Sequence, residues 1–179
     1  MTANNSKRTI VLILNMFIYF YQTKIFVFGI KIDEEVCNLS FTELRCLKKI
    51  NKTRFPNLPI MSNVNNLILN NKKYKDIPEF SFKNNTQLNE LNLFNNSIES
   101  IYKNSLFGLS KLKVLILKSN KLKYINEFMF EYCISLNNLD LAVNRIEILK
   151  NSSFKNLFKL RSINLENNII RIIEYDVFK

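Results

Sequence analysis

The sequence predicts an α/β solenoid, in which short parallel strands stack turn on turn into a concave sheet and the convex side is mostly irregular. Three observations carry this. Apolar residues recur at a spacing of 24 across residues 64–179. In each period the fourth and sixth positions are apolar and flank one open residue, which is the period-two alternation of a strand. The ninth position is asparagine in four consecutive periods. Self-similarity at a fixed period is the mark of a repeat architecture whose units bury their apolar faces only against their neighbours.

The first positions are Val64, Leu88, Leu112, Leu136 and Leu160. The fourth are Leu67, Leu91, Leu115, Leu139 and Ile163, and the sixth are Leu69, Leu93, Leu117, Leu141 and Leu165. The eleventh are Tyr74, Ile98, Leu122, Ile146 and Ile170; the fourteenth are Ile77, Ile101, Ile125, Leu149 and Ile173. Phe82, Leu106, Phe130, Phe154 and Phe178 hold the nineteenth and fill the convex half of each turn. The ninth position reads Lys72, Asn96, Asn120, Asn144 and Asn168. The chain must turn inward after each strand, which leaves backbone groups buried and in need of partners. An amide side chain both donates and accepts, so one asparagine per turn can supply them. Lysine at 72 cannot accept, and the first copy sits beside a cap, where atypical residues are expected.

The pattern L-x-x-L-x-L-x-x-N resembles the leucine-rich repeat. Its 24-residue period with a phenylalanine at position nineteen is similar to the "typical" class of extracellular repeats, of the Toll-like-receptor or secreted-ectodomain type. The resemblance implies a horseshoe of five such repeats over 64–179, without a C-terminal cap, preceded by an N-terminal cap over 31–63. Cys37 and Cys46 resemble the last two cysteines of such a cap, and Phe55-Pro-Asn-Leu-Pro59 resembles its connection to the first repeat. A Cys37–Cys46 disulfide in an oxidising compartment is what the resemblance implies. The four-cysteine form of the cap is not present. Cys133 sits where Leu109 and Leu157 stand in adjacent copies, so it reads as a small buried hydrophobe.

Residues 1–30 read as a signal peptide or signal anchor. Lys7 and Arg8 precede an apolar run from Ile10 to Tyr21, and a second run spans Ile25 to Ile30. Left uncleaved, residues 10–30 are about long enough to span a bilayer, with Lys24 inside the span. This is the single route to a membrane that the sequence offers. Either reading puts the remainder on the lumenal or extracellular side. Sequons at Asn38, Asn51, Asn84, Asn95 and Asn151 agree with secretion as candidate glycosylation sites, though an Asn-rich chain also yields sequons by accident.

Composition points away from catalysis. Histidine is absent, which removes the commonest general base and metal ligand. Two glycines are too few for a phosphate-cradling loop, and no paired carboxylates suggest acid–base work. No enzyme, cofactor or metal site is expected. The net charge of +11 comes from scattered lysines without a run of five, so it reads as solvated convex loops rather than a nucleic-acid grip.

The expected function is therefore recognition, adhesion or innate-immune binding of a protein ligand through the concave face. Its outward residues include Ile68, Phe94, Val114, Ile116, Lys118 and Asp140, with Phe94, Val114 and Ile116 as an apolar centre. One alternative is a matrix or glycan-binding protein using a basic convex surface; another is a cytosolic adaptor whose start is misread. The last copy leaves Leu165, Ile170, Ile173 and Phe178 without a following turn. That loss of burial, on the order of 10 kcal/mol, predicts a longer chain, a frayed end, or a homo- or heterodimer formed through this end.

Overall fold

The computed structural model describes residues 28–32, 35–40, 42–46, 55, 56, 58 and 63–178. The expected signal segment falls outside the described residues except at its end, where strand β1 (Phe28–Ile32) begins. Asn51 also lies outside them, and of Cys37, Asn38 and Cys46 only the backbone is described.

β2 (Glu35–Ser40) pairs antiparallel with β1 and with β3 (Glu43–Cys46). From β3 onward the sheet is parallel, through β4 (Asn66–Ile68), β6 (Glu90–Asn92), β8 (Val114–Ile116), β10 (Asn138–Asp140) and β12 (Ser162–Asn164). Between these lie two-residue strands: β5 (Asp76–Ile77), β7 (Ser100–Ile101), β9 (Tyr124–Ile125), β11 (Ile148–Leu149) and β13 (Ile172–Ile173). β5 pairs with β7, and β9, β11 and β13 form a third sheet, all parallel. The concave sheet thus has eight strands in the order β1-β2-β3-β4-β6-β8-β10-β12, and each turn after β4 repeats its predecessor in register. Among the described residues the convex arcs are turns and contain no helix.

The repeat positions become layers. Leu67, Leu91, Leu115 and Leu139 are buried behind the sheet, as are Leu69, Leu93, Leu117 and Leu141. Each such side chain contributes about 1.5–3 kcal/mol by leaving water. Phe130, Phe154 and Phe178 form a stacked convex spine, with centroids 6.1 and 5.3 Å apart. At the front, Phe55 closes the core by packing on Tyr74 at 5.1 Å and on Phe82 at 5.6 Å. Cys133 is a buried free thiol, and burial pushes it up to about 12, far from the reactive range.

The eighth position of every turn takes a left-handed backbone: Asn71, Asn95, Ser119, Val143 and Asn167 all have φ between 52 and 59°. Asparagine tolerates this region best among residues with a Cβ. Val143, at φ 56°, is β-branched, and its conformation costs on the order of 1–2 kcal/mol. The surrounding ladder, in which Val143 N donates to Glu166 O at 2.8 Å, holds it there.

Lys72 differs from the expectation of solvated lysines, being 2% exposed. It occupies the ladder position of the first turn, and its backbone N–H donates to Asn96 Oδ1 at 3.1 Å.

Candidate ligand-binding surface

Two sets of side chains decide what the solenoid can present: those that fix its turns and those left open on the sheet. The first set is the asparagine ladder. Asn96 Nδ2 donates to Leu69 O at 2.9 Å in the preceding turn and to Leu93 O at 3.0 Å in its own. Asn120 repeats this with Leu93 O and Leu117 O, Asn144 with Leu117 O and Leu141 O, and Asn168 with Leu141 O and Leu165 O. Each Oδ1 accepts from the preceding turn: Asn96 from the N–H groups of Lys72, Lys73 and Tyr74, Asn120 from Ile98, Asn144 from Leu122 and Asn168 from Ile146. Consecutive rungs share carbonyls, so the ladder couples each turn to the next and stiffens the strand face.

Sequence reasoning missed a second set of internal ties. Buried Ser105 and Ser153 each donate a hydroxyl across turns, to Ile77 O and Ile125 O respectively. Serine recurs at this position at Ser81, but its hydroxyl donates to Pro78 O in its own turn, and Met129 and Val177 stand there in the third and fifth copies, so the column does not mark the bond.

On the concave face the expected residues separate. Ile68 was expected to be open, but it is only 6% exposed. β3 continues the sheet beyond β4 and places Arg45 and Asn92 in register on either side of it, so this position is covered at the cap junction. Asp140 is partly tied down: its carboxylate accepts from Ala142 N at 3.0 Å. Asn92 does the same for Phe94 N and Asn164 for Glu166 N, both at 3.0 Å. An Asn or Asp two residues ahead of a strand-end N–H is the local signal of this bond, and it occupies one acceptor oxygen of each side chain.

Phe94, Val114, Ile116 and Lys118 are brought together and remain half-buried rather than fully open. β6 and β8 are neighbours with Glu90 opposite Val114 and Asn92 opposite Ile116, and Asn95 N donates to Lys118 O at 3.0 Å, so Phe94 and Lys118 lie at equivalent places one turn apart. Strands about 4.8 Å apart put these four side chains within one contact patch. Of the sequons described with side chains, Asn84, Asn95 and Asn151 are exposed. Asn95 donates to Asn71 Oδ1 at 2.7 Å, and Asn151 Oδ1 accepts from Asp176 N at 3.2 Å. Among the described residues no group of three or more metal-ligating side chains is present.

A parallel-strand solenoid with an internal asparagine ladder and an open strand face is a leucine-rich-repeat module. The chain belongs to the BspA-type leucine-rich-repeat family, whose model matches residues 48–179 in six copies. None of the curated proteins matches the chain. Among solved structures it is similar to the one described as "Crystal structure of TLR13-ssRNA13 complex", with 32% identity and a TM-score of 0.64. The match covers 65% of this chain and 16% of that one, so this chain spans about a sixth of its neighbour. That likeness agrees with the Toll-like-receptor type that the family resemblance implied.

Proposed function

We propose that this chain is an extracellular, non-enzymatic recognition module that binds a protein ligand on its concave sheet. The observation that carries the reading is the joint presentation of Val114 and Ile116 on one strand with Phe94 and Lys118 just past the ends of two adjacent strands, on a face stiffened by the ladder behind it. A half-open aromatic and aliphatic centre with a polar rim of Glu90, Asn138 and Asn164 is the composition of a protein contact patch. The rigidity limits the ordering cost of binding. The family and the Toll-like neighbour support an innate-immune or adhesion role.

The test is binding to an array of secreted proteins and cell-surface ectodomains. A partner bound by the wild type should lose affinity by roughly 30-fold or more in Ile116→Glu, the scale of a hot-spot residue. Tyr102→Glu on the convex arc should bind as the wild type does. A partner indifferent to Ile116→Glu and lost by Tyr102→Glu would refute the concave assignment.

The extracellular part of the proposal rests on the cap. Cys37 and Cys46 are directly opposite in the antiparallel β2–β3 pair. Paired residues on antiparallel strands have Cα atoms about 4.5–5.5 Å apart, inside the range a disulfide bridges. Alkylation of the secreted protein should therefore label no cysteine in the native state, Cys133 alone after denaturation, and all 3 after denaturation with reductant. Labelling of all three without reductant would instead favour the cytosolic adaptor.

A further inference from the structure

The cations of this protein are not distributed alike on the two flanks of the solenoid. On the flank leading out of the strands, position twelve reads Lys75, Glu99, Lys123, Glu147 and Arg171. Signs alternate from turn to turn, and Glu99 N bonds Lys75 O and Glu147 N bonds Lys123 O, so these residues are stacked. The opposite flank, where the convex arc returns to the strands, comprises residues 85–89, 109–113, 133–137 and 157–161. It carries Lys111, Lys113, Lys159 and Arg161 and no carboxylate. The acids of these turns lie on the strand face, the convex arc or the other flank.

On that acid-free flank there is an open groove of about 460 Å³ lined by Lys113, Ser135, Asn137, Phe158, Lys159 and Arg161, together with Leu160. Its floor is ordered. Asn137 N donates to Lys113 O at 2.9 Å and Arg161 N to Asn137 O at 2.8 Å, so Lys113, Asn137 and Arg161 occupy one position in three successive turns. In the amide orientation that satisfies its surroundings, Asn137 donates to Ser135 O at 3.3 Å and Lys159 O at 3.1 Å, tying the two turns across the groove. Lys113, Lys159 and Arg161 are all exposed, and Phe158, at 88% exposure, stands at the rim.

We infer that this flank groove is a binding site for an acidic polysaccharide, distinct from the concave patch. Lys113 and Arg161 stand two turns apart, about 10 Å from Cα to Cα at the usual strand spacing, which suits anionic groups recurring along a polymer. Lysine and arginine give charge-assisted bonds to sulfate or carboxylate oxygens. Ser135 can donate to and accept from sugar hydroxyls. Phe158 offers a flat apolar surface to the face of a sugar ring. A single-stranded nucleic acid would use the same cations, but sequence-tolerant binding of that kind relies on successive aromatic platforms. Phe158 is the one aromatic residue in this groove.

The test compares two triple variants of the full chain with equal change in net charge. One is Lys113→Gln, Lys159→Gln, Arg161→Gln in the groove; the other is Lys75→Gln, Lys123→Gln, Arg171→Gln on the opposite flank. The probes are a heparin dodecasaccharide, its desulfated counterpart and an oligothymidylate of similar charge. The wild type is expected to bind the sulfated sugar, and to bind the desulfated one, which keeps only its carboxylates, at least tenfold more weakly. The groove triple should lose at least tenfold in affinity and the opposite triple less than twofold. Both triples replace exposed residues, and the single change Lys159→Glu, expected to weaken binding at least threefold, serves should the groove triple fail to fold. Equal loss in the two triples would reduce the effect to overall charge and overturn the site. So would absence of heparin binding by the wild type. Tighter binding of oligothymidylate, abolished by Phe158→Ala, would overturn the polysaccharide in favour of nucleic acid.

Discussion

Asn120→Ala is expected to destabilise the solenoid by about 2–6 kcal/mol, from the orphaning and weakening of buried backbone groups. The geometry says where that comes from. Ile98 N–H loses its acceptor at 3.0 Å and sits in a fully buried residue. An orphaned buried donor costs about 1–3 kcal/mol. Leu93 O and Leu117 O each lose one of two amide donors but keep the other, from Asn96 and Asn144. Those two weakened carbonyls add about 0.5–1.5 kcal/mol each. Asn120→Asp separates the halves of the amide. It keeps an oxygen for Ile98 N–H but turns an acceptor toward two carbonyls, so at neutral pH it should be at least as damaging as alanine. Protonation restores a donor. The buried carboxyl is held above its unfolded value of about 3.9, so the variant's stability should recover as pH falls through that range and decline as pH rises. Urea midpoints from pH 3 to 7 check this. An Asn120→Asp protein milder than Asn120→Ala at pH 7 would show that the acceptor role alone matters.

This prediction was available from sequence because the ladder is periodic. Whatever repeats every 24 residues was legible: the strand leucines, the asparagines and the convex phenylalanines each occupy a column whose chemistry is the same in every turn. What does not repeat was not. Ser105 and Ser153 bond across turns, yet Ser81 in the same column bonds Pro78 O within its own turn and Met129 and Val177 interrupt it. Val143 takes the left-handed conformation because the column demands it, against its own preference. Ile68 matches the outward positions of later turns but is covered, because the strand beyond it belongs to the cap rather than to another repeat. The flank groove depends on two columns at once, positions two and twenty-four, and on the acids being absent from both; scattered along the chain, the same lysines look like solvated surface. For the concave patch, the positions could be read in advance but not their availability. Asp140 is an acid on the right face whose carboxylate is already engaged by Ala142 N–H.

The convex spine offers the second large effect, and it tests whether stability is carried between neighbouring turns. Position nineteen holds Phe82, Leu106, Phe130, Phe154 and Phe178, chemically alike in four of five turns. Their surroundings differ. Phe130 is 1% exposed, with Phe154 stacked at 6.1 Å on one side, whereas Phe178 is 64% exposed although it stacks on Phe154 at 5.3 Å. Phe130→Ala removes a buried ring and leaves a cavity between turns that the ladder prevents from closing, so it should cost about 3–5 kcal/mol. Phe178→Ala should cost less than about 1 kcal/mol, since most of its ring is already in water. Chemical denaturation of the two variants gives the comparison, together with amide exchange, because a linear array can open one turn at a time. In Phe130→Ala, exchange should accelerate in the turns on both sides of the cavity; in Phe178→Ala it should accelerate only in the last turn. Equal costs would mean that the spine contributes through intrinsic turn stability, and the nearest-neighbour account of this solenoid would then be wrong.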